Sequence, residues 1–172
     1  MLATPALELW LLRHGATEWA LNGRHTGRTD LPLMPEGEAE ARALAPVLAR
    51  QPFAAVLVSP LQRARRTAEL AGLGEGARPC PDLQEWDYGR YEGITTAEIR
   101  RQVPNWTVWS HGCPGGEDSA QVEERCLRVI ALLNPWLVPV LVWWLWWPMA
   151  ISCAAWRAPG WGWGPPVAPC SI

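Results

Sequence analysis

The sequence contains no lysine and carries almost no net charge. All 15 basic residues are arginine, and 17 acidic residues bring the formal charge at pH 7 to -2. Such a balance provides no strong positive field to attract nucleic acid or an anionic membrane surface. We therefore expect no nucleic-acid partner. The exclusive use of arginine is typical of a GC-rich gene.

Paired cysteines are also missing. No C-x-x-C pair occurs, and the wide spacing matches neither a zinc site nor a disulfide framework for the five cysteines Cys80, Cys113, Cys126, Cys153 and Cys170. The first 15 residues lack the basic region of a secretory signal, and Arg13 interrupts their apolar run. These absences indicate a protein of the reducing cytoplasm.

Charge is nearly absent from the C-terminal quarter of the chain. Of the 32 charged residues, 31 lie at or before Arg128, and the last is Arg157. The same quarter holds eight of the 13 tryptophans and seven of the 17 prolines. A soluble core does not use that mixture. We therefore predict one domain over residues 1–133 and an aberrant tail over residues 134–172.

An uncharged run of 28 residues, 129–156, is long enough to span a bilayer and is flanked by arginines. Tryptophans prefer the membrane interface, yet here four of them lie in the middle of the run, and three prolines interrupt it. The composition therefore argues against a membrane anchor, which stays as an alternative interpretation.

Before the tail, strand and helix signals alternate. Short apolar runs at residues 7–12 and 53–58 are typical of buried strands. Apolar spacing predicts a helix over residues 36–51, which Pro46 should end or kink. This alternation indicates an α/β fold with helices packed on a sheet.

Helix caps give two further predictions. Ser59 as N-cap and Pro60 at the first helical position start a helix that Gly72 can end. Another helix starts at Asp118 or Ser119 and carries one apolar face, formed by Val122, Cys126, Val129 and Leu133.

The triplet Arg13-His14-Gly15 follows directly on the first strand. Residues at the carboxyl end of such a strand lie where α/β sheets bind ligands. An imidazole there can act as a nucleophile, and the neighbouring guanidinium matches the geometry and charge of phosphate oxygens. Taken alone, the pair is more simply explained as a loop histidine beside a solvated arginine.

Three further motifs accompany this triplet in a fixed order. They are GRHTGRTDLPL (23–33), SPLQRARRTAEL (59–70) and LQEWDYGRYEG (83–93). Together the motifs resemble the histidine phosphatase superfamily, which includes phosphoglycerate mutases and many phosphomonoesterases. The resemblance covers about residues 7–133 and implies a three-layer, phosphoglycerate mutase-like α/β fold. Residues 85–93 and 106–118 are most similar to the branch of sedoheptulose-bisphosphatase-type sugar phosphatases.

The resemblance also implies roles for individual residues. His14 would be the nucleophile that accepts the phosphoryl group, with Arg13 and Arg63 binding the phosphate. Glu85 would protonate the leaving oxygen and later activate water. Thr26 and Gly27 would belong to the loop that closes over the phosphate or sugar, while His25 is interpreted as a loop histidine near the entrance. The implied substrate is a small phosphate ester, and the resemblance implies that it is hydrolysed without any metal or cofactor.

Two positions depart from the family pattern. Ala20 stands where the family often has an asparagine that binds phosphate, which we interpret as a clue to the substrate. A second catalytic histidine should follow a late strand as a His-Gly motif, and no histidine occurs after His111. The pair His111-Gly112 precedes the last helix and has no strand before it, so it is a poor replacement.

A shifted reading frame accounts for the missing motif. If codons for residues 147–154 are read from the third base of the Trp147 codon, they can encode Ala-His-Gly-His-Phe-Leu-Arg. The same shift turns Trp143 and Trp146 into valines within an apolar strand. We therefore expect that the tail is a shifted frame beginning near Leu133 or Asn134. The product of the other frame is called here the frame-restored protein.

The favoured hypothesis is a phosphomonoesterase for a small phosphorylated metabolite, with a sugar phosphate as the expected substrate and impaired turnover in this chain. One alternative is a phosphate-ester-binding remnant that keeps Arg13, His14 and Arg63 without turnover. A mutase-type phosphotransferase is another, although nothing in the sequence indicates a site that retains a bisphosphate. The oligomeric state is not addressed by the sequence.

Overall fold

The computed structural model describes residues 8–133, together with the backbone of residues 153–157. The strands are β1 (Glu8–Leu12), β2 (Phe53–Val58), β3 (Ala77–Pro79) and β4 (Cys153–Arg157). The helices are α1 (Glu18–Leu21), α2 (Pro35–Leu48), α3 (Gln62–Leu70), α4 (Thr96–Gln102), α5 (Val108–His111) and α6 (Ser119–Leu132). Short 3₁₀ turns lie at Gly74–Gly76, Pro81–Leu83 and Gly89–Tyr91.

The four strands form one sheet in the order β1-β4-β2-β3. Strands β2 and β3 are parallel, and β4 is antiparallel to both β1 and β2. Strands β1, β2 and β3 therefore share one direction, and their carboxyl ends lie toward one edge of the sheet. The α/β class expected from the alternating pattern is confirmed.

Helices cover both faces of the sheet. Along β2, Val56 and Val58 pack on one face with residues of α2 and α3, while Ala55 and Leu57 face the other side. This alternation follows from the two-residue period of a strand. The second face is covered by α6 and the turn before Glu85, through the cluster of Cys80, Leu83, Val129 and Leu133.

The position of β4 departs from what the composition of the tail predicts. Loss of the late strand, with proline and glycine frequent in the tail, would leave its neighbours in the sheet unpaired. Instead β4 lies between β1 and β2, with Cys153 paired to both Leu12 and Val58. Unpaired N–H and C=O groups on two adjoining strands are costly, and the segment Cys153–Arg157 contains neither proline nor glycine to prevent its pairing. Residues 134–152 and 158–172, where the shifted frame is expected, lie outside the described residues.

Helix boundaries depart from the sequence signals at two places. Helix α2 continues through Pro46 and ends at Leu48, so this proline does not stop it at once. Helix α3 begins at Gln62 rather than after Ser59. The N–H of Gln62 donates to the Asp30 carboxylate at 2.8 Å, so the helix start is capped by a residue distant in sequence. At the other end, Gly72 has φ +78°, as expected of a residue that ends a helix.

Helix α6 begins as its sequence predicts. Asp118 is the N-cap, and its side chain and that of Gln121 bond reciprocally to backbone N–H groups in a capping box. Val129 and Leu133 on its apolar face are buried. The uncharged run 129–156 lies mostly beyond this helix and outside the described residues. Within the described part of the chain, no helix has the length and apolar character needed to cross a bilayer.

Two glycines allow the turn after β1 to contact α2 closely. A Cβ on Gly15 would overlap the backbone of Gly37, and a Cβ on Gly37 would overlap the backbone of Ala16. The N–H of Met34 also donates to the carbonyl of Ala16 at 2.9 Å. The residue that follows His14 is therefore fixed against the start of α2 by backbone contact.

We expect Gly37→Ala to lower the free energy of unfolding by about 1–3 kcal/mol, the usual cost of overpacking. Alanine has the higher helix propensity, so a loss of stability isolates the backbone overlap. Gly76→Ala is the matched control, because a Cβ there meets no atom within 4 Å. Denaturant unfolding of both variants provides the measurement, and equal midpoints for them would contradict the overlap.

Candidate active site

His14 lies two residues beyond the end of β1, at the edge of the sheet where β1 and β2 both end. Its ring is half-buried, and Nδ1 lies 2.8 Å from the carbonyl oxygen of Gly15. A carbonyl oxygen can only accept, so in the neutral ring Nδ1 carries the proton and donates it to Gly15. The lone pair of the neutral ring is then on Nε2, the nitrogen that can act as a nucleophile.

The His14 ring is held in its neutral form. Burial lowers the pKa of His14 to about 4, and the positive charges of Arg63 and Arg13 act in the same direction, while the bond to Gly15 opposes them. Above this pH the ring is uncharged, so the Nε2 lone pair is present throughout the neutral range.

Helix α3 fixes the turn that carries His14. The N–H of Gly15 donates to Thr67 Oγ1 at 3.2 Å, and the hydroxyl of Thr67 donates to the carbonyl of Arg63 at 2.7 Å. Thr67 is 1% exposed, so these bonds are shielded from water. The turn is therefore fixed on one side by α2 and on another by α3.

A pocket of about 120 Å³ opens beside His14. It collects three of the predicted site residues besides His14, together with four residues to which the sequence had assigned no catalytic role. The described residues that line it are Arg13, His14, Ala20, Arg24, His25, Thr26, Glu85 and Tyr88.

Glu85 follows the 3₁₀ turn Pro81–Leu83 and contributes a carboxyl group to the pocket. Burial raises the pKa of this carboxyl above its ordinary value, against the N–H of Trp86, which donates to Oε1 at 2.9 Å, and against the charges of Arg63 and Arg13. Burial thus favours the protonated carboxyl, the form that can donate a proton to a leaving group.

The segment before Glu85 is fixed by a buried arginine of α6. Arg125, 7% exposed, donates to the carbonyls of Asp82 and Gln84 at 2.8 and 3.0 Å. Its Nε and Nη2 donate to the two carboxylate oxygens of Glu117 at 2.7 and 2.8 Å. The position of Glu85 therefore depends on α6, the last described helix.

Arg63 is not one of the described residues that line the pocket. It is 2% exposed, and its guanidinium donates to the carbonyls of Thr29 at 2.9 Å, Gly27 at 2.8 Å and Thr26 at 3.3 Å. Its charge nevertheless acts on both His14 and Glu85. In this structure Arg63 contributes a positive charge and holds a loop, so direct phosphate binding by it stays a prediction.

Thr26 and Gly27 occupy different positions. Thr26 lines the pocket, and its role in a loop that closes over the phosphate or sugar stays a prediction. Gly27 is buried outside the lining, where its N–H donates to Glu92 Oε1 at 2.9 Å. A Cβ at Gly27 would overlap the carbonyl of Trp86, so the loop requires glycine for close backbone contact rather than for access to a ligand.

His25 and Tyr88 form an aromatic wall of the pocket. Their rings stack with centroids 4.5 Å apart, and Nε2 of His25 lies 3.1 Å from Thr96 Oγ1. Burial lowers the pKa of His25, which is opposed by the charge of Glu92. His25, interpreted from the sequence as a loop histidine, lines the pocket. Tyr88 and Arg24 line it as well and were missed, although both lie inside the sequence motifs.

The remaining histidine lies elsewhere. His111 ends α5, is exposed, and its Nδ1 lies 2.7 Å from Ser110 Oγ. Among the described residues, the imidazoles in the pocket are thus those of His14 and His25. No group of three or more metal-ligating side chains occurs in the described part of the chain.

Comparisons with known proteins identify the family of this chain. A profile described as "Histidine phosphatase superfamily (branch 1)" matches residues 9–135. The chain is similar to an acid phosphatase of Mycobacterium tuberculosis, with 45% identity over 126 residues that cover 72% of this chain and 62% of that protein. It is 37% identical over 148 residues to sedoheptulose 1,7-bisphosphatase of Saccharomyces cerevisiae, covering 72% of this chain and 54% of the yeast protein.

A solved structure gives the same result for the fold. The product of an open reading frame of Mycobacterium tuberculosis superposes with a TM-score of 0.69 at 43% identity, over 75% of this chain and 67% of that chain. The chain therefore spans between about half and two thirds of the lengths of these three proteins. With residues 9–135 matching the family profile, this chain belongs to the histidine phosphatase superfamily, branch 1.

Proposed function

We propose that this domain is a phosphomonoesterase that transfers a phosphoryl group from a small metabolite to His14 and then to water. The observation that carries the proposal is the bond from His14 Nδ1 to Gly15, which puts the lone pair on Nε2 in a pocket shared with Arg13 and Glu85. A fixed neutral imidazole, a cation and a raised-pKa carboxyl are the groups that such a transfer requires.

In the first step Nε2 of His14 forms a bond to phosphorus as the bond from phosphorus to the ester oxygen breaks. Arg13 and the buried charge of Arg63 stabilise the negative charge on the phosphoryl oxygens. The leaving oxygen takes its proton from the Glu85 carboxyl. In the second step the Glu85 carboxylate takes a proton from water, whose oxygen displaces His14 from phosphorus and releases inorganic phosphate.

A sugar phosphate is the substrate class we propose. The similar proteins include an enzyme that acts on sedoheptulose 1,7-bisphosphate. Ala20 gives the pocket a small wall where other family members often carry an amide, and Tyr88 adds an aromatic surface. The protein uses no metal or cofactor in this proposal, and we place it in the cytoplasm, in keeping with the free thiols of Cys80, Cys113 and Cys126.

We expect His14→Ala in the frame-restored protein to abolish acid-labile phosphoryl labelling, because no other group in the mechanism bonds to phosphorus. Incubation with a ³²P-labelled sugar phosphate followed by rapid quenching provides the measurement. His111→Ala is the control, since that exposed ring on α5 should leave labelling unchanged. Persistent label in the His14 variant would assign the nucleophile elsewhere.

Glu85→Gln should slow hydrolysis of a sugar phosphate by on the order of 10²–10⁴, the usual contribution of a general acid. An alkoxide needs a proton as it leaves, whereas nitrophenolate does not. The first, phosphorylating step for nitrophenyl phosphate should therefore be slowed much less, as seen in the burst phase. Equal losses on the two esters would argue against an acid role for Glu85.

A second candidate function is a phosphate-ester-binding remnant. Two observations favour it. Among the described residues, the imidazoles that line the pocket are those of His14 and His25, and neither follows a late strand as the second catalytic histidine should. Strand β4 is antiparallel to β1, so it runs away from the end of the sheet that carries His14. In that sheet Arg157, the cation of the tail, has its backbone beside Glu8 and Phe53, at the ends of β1 and β2 away from His14. We propose that residues 134–172 are a shifted frame that replaces the strand and histidine completing the site.

Turnover of one sugar phosphate by the frame-restored protein should exceed that of the present chain by on the order of 10²–10³, the usual effect of one preorganised transition-state donor. Steady-state kinetics on the two purified proteins test this, with circular dichroism as the check on folding. Comparable turnover would show that the second imidazole is dispensable and would remove the basis of the remnant interpretation.

A further inference from the structure

We propose that Glu92 is a positioning residue that fixes the loop 26–29 beside the phosphate pocket, so that the affinity for phosphate depends on this carboxylate. The inference rests on the proposed function, because it assumes that the pocket beside His14 receives a phosphoryl group. The family resemblance implied no role for Glu92.

The carboxylate of Glu92 accepts hydrogen bonds from three consecutive backbone N–H groups. Gly27 and Arg28 donate to Oε1 at 2.9 and 3.0 Å, and Thr29 donates to Oε2 at 3.4 Å. The hydroxyl of Thr29 donates to Oε2 at 2.8 Å. Successive N–H groups that converge on an anion form the arrangement by which proteins bind anions with backbone, and here the anion is part of the chain.

Arg63 binds the same loop from its carbonyl side. The guanidinium donates to the carbonyls of Thr26, Gly27 and Thr29. The Glu92 carboxylate accepts from the N–H groups of residues 27–29. Hydrogen bonds to charged groups are roughly twice as strong as those between neutral groups. The loop is therefore fixed by opposite charges on its two sides.

The position of this loop affects the pocket at two points. Thr26, its first residue, lines the pocket, and Arg63 is the charge that acts on both His14 and Glu85. Burial lowers the pKa of Arg63, and the charge of Glu92 is one of the carboxylate charges that oppose this effect. Loss of the Glu92 carboxylate would remove the hydrogen bonds that fix the N–H groups of the loop. The carbonyls that bind Arg63 would then be less well fixed.

The neighbouring backbone does not depend on Glu92. The N–H of His25 donates to the carbonyl of Ile94 at 3.0 Å, and the N–H of Gly93 donates to the carbonyl of His25 at 2.9 Å. These bonds retain the segment that carries His25 when the carboxylate is changed. A Glu92 variant should thus disturb residues 26–29 selectively rather than unfold the pocket.

Glu92→Gln tests this arrangement, because a glutamine amide presents N–H donors where Thr29 also donates. We expect the Kd of the full chain for orthophosphate to rise about tenfold, as measured by isothermal titration calorimetry. Hydrogen exchange of the Gly27, Arg28 and Thr29 amides should accelerate in the same variant. Glu92→Asp keeps the charge on a shorter side chain and should give an intermediate Kd.

Glu98→Gln is the matched control. The Glu98 carboxylate also accepts a backbone N–H and a hydroxyl, both from Thr95, at 2.9 and 2.7 Å, but these bonds cap α4 and do not involve the loop 26–29. The Kd of the Glu98→Gln chain for orthophosphate should stay within about twofold of the Kd of the unmodified chain. The tenfold rise expected for Glu92→Gln, about 1.4 kcal/mol, is clearly larger than that.

The outcomes separate this inference from the proposed function. If the unmodified chain binds orthophosphate and Glu92→Gln binds it equally, the positioning role is overturned while the phosphatase proposal stands. Unchanged exchange of the three amides overturns it as well. If the unmodified chain binds no orthophosphate, the positioning role and the remnant interpretation both fail, and the phosphatase proposal is decided by the labelling of the frame-restored protein. Should Glu92→Gln not fold, Glu92→Asp decides, because a Kd equal to that of the unmodified chain contradicts the positioning role.

Discussion

The buried guanidinium of Arg63 connects the parts of this site that are distant in sequence. It extends from α3, binds the carbonyls of the loop 26–29, and places a positive charge within range of both His14 and Glu85. A charge that is 2% exposed is costly unless its donors are bonded, so the loop and the arginine stabilise each other. The helix, the loop and the two ionisable groups therefore form one arrangement.

Burial sets the protonation states of both reactive groups. It lowers the pKa of the His14 imidazole and raises that of the Glu85 carboxyl, and each change favours the uncharged form. A neutral imidazole and a protonated carboxyl are the states with which phosphoryl transfer to nitrogen begins. The nearby arginines lower both pKa values, so their charges favour the uncharged imidazole but the ionised carboxylate. One physical cause thus prepares the nucleophile and the acid together.

The sequence was informative where the signal is local. The bounds of β2 and the Asp118 cap of α6 follow from apolar runs and capping chemistry, and the motif around His14 identifies the site edge. Contacts between distant segments were not accessible in this way. Asp30 caps α3 from 32 residues away, and no local pattern marks Glu92 as the partner of residues 27–29. Trp86, Ile99 and Trp106 likewise form a small core of their own. No local pattern predicts this core, because its residues come into contact only in the folded chain.

The direction of β4 limits how this chain could regain a complete site by mutation. Because β4 runs opposite to β1, each step from Cys153 toward Arg157 moves the backbone about 3.3 Å farther from the edge that carries His14. Single-residue replacements along most of this strand would thus introduce an imidazole at the wrong end of the sheet. Under the shifted frame that we propose for residues 134–172, a second insertion or deletion that returns the gene to its other frame would restore the strand and the histidine in one event. Reversion by frame should accordingly be far more accessible to selection than reversion by substitution.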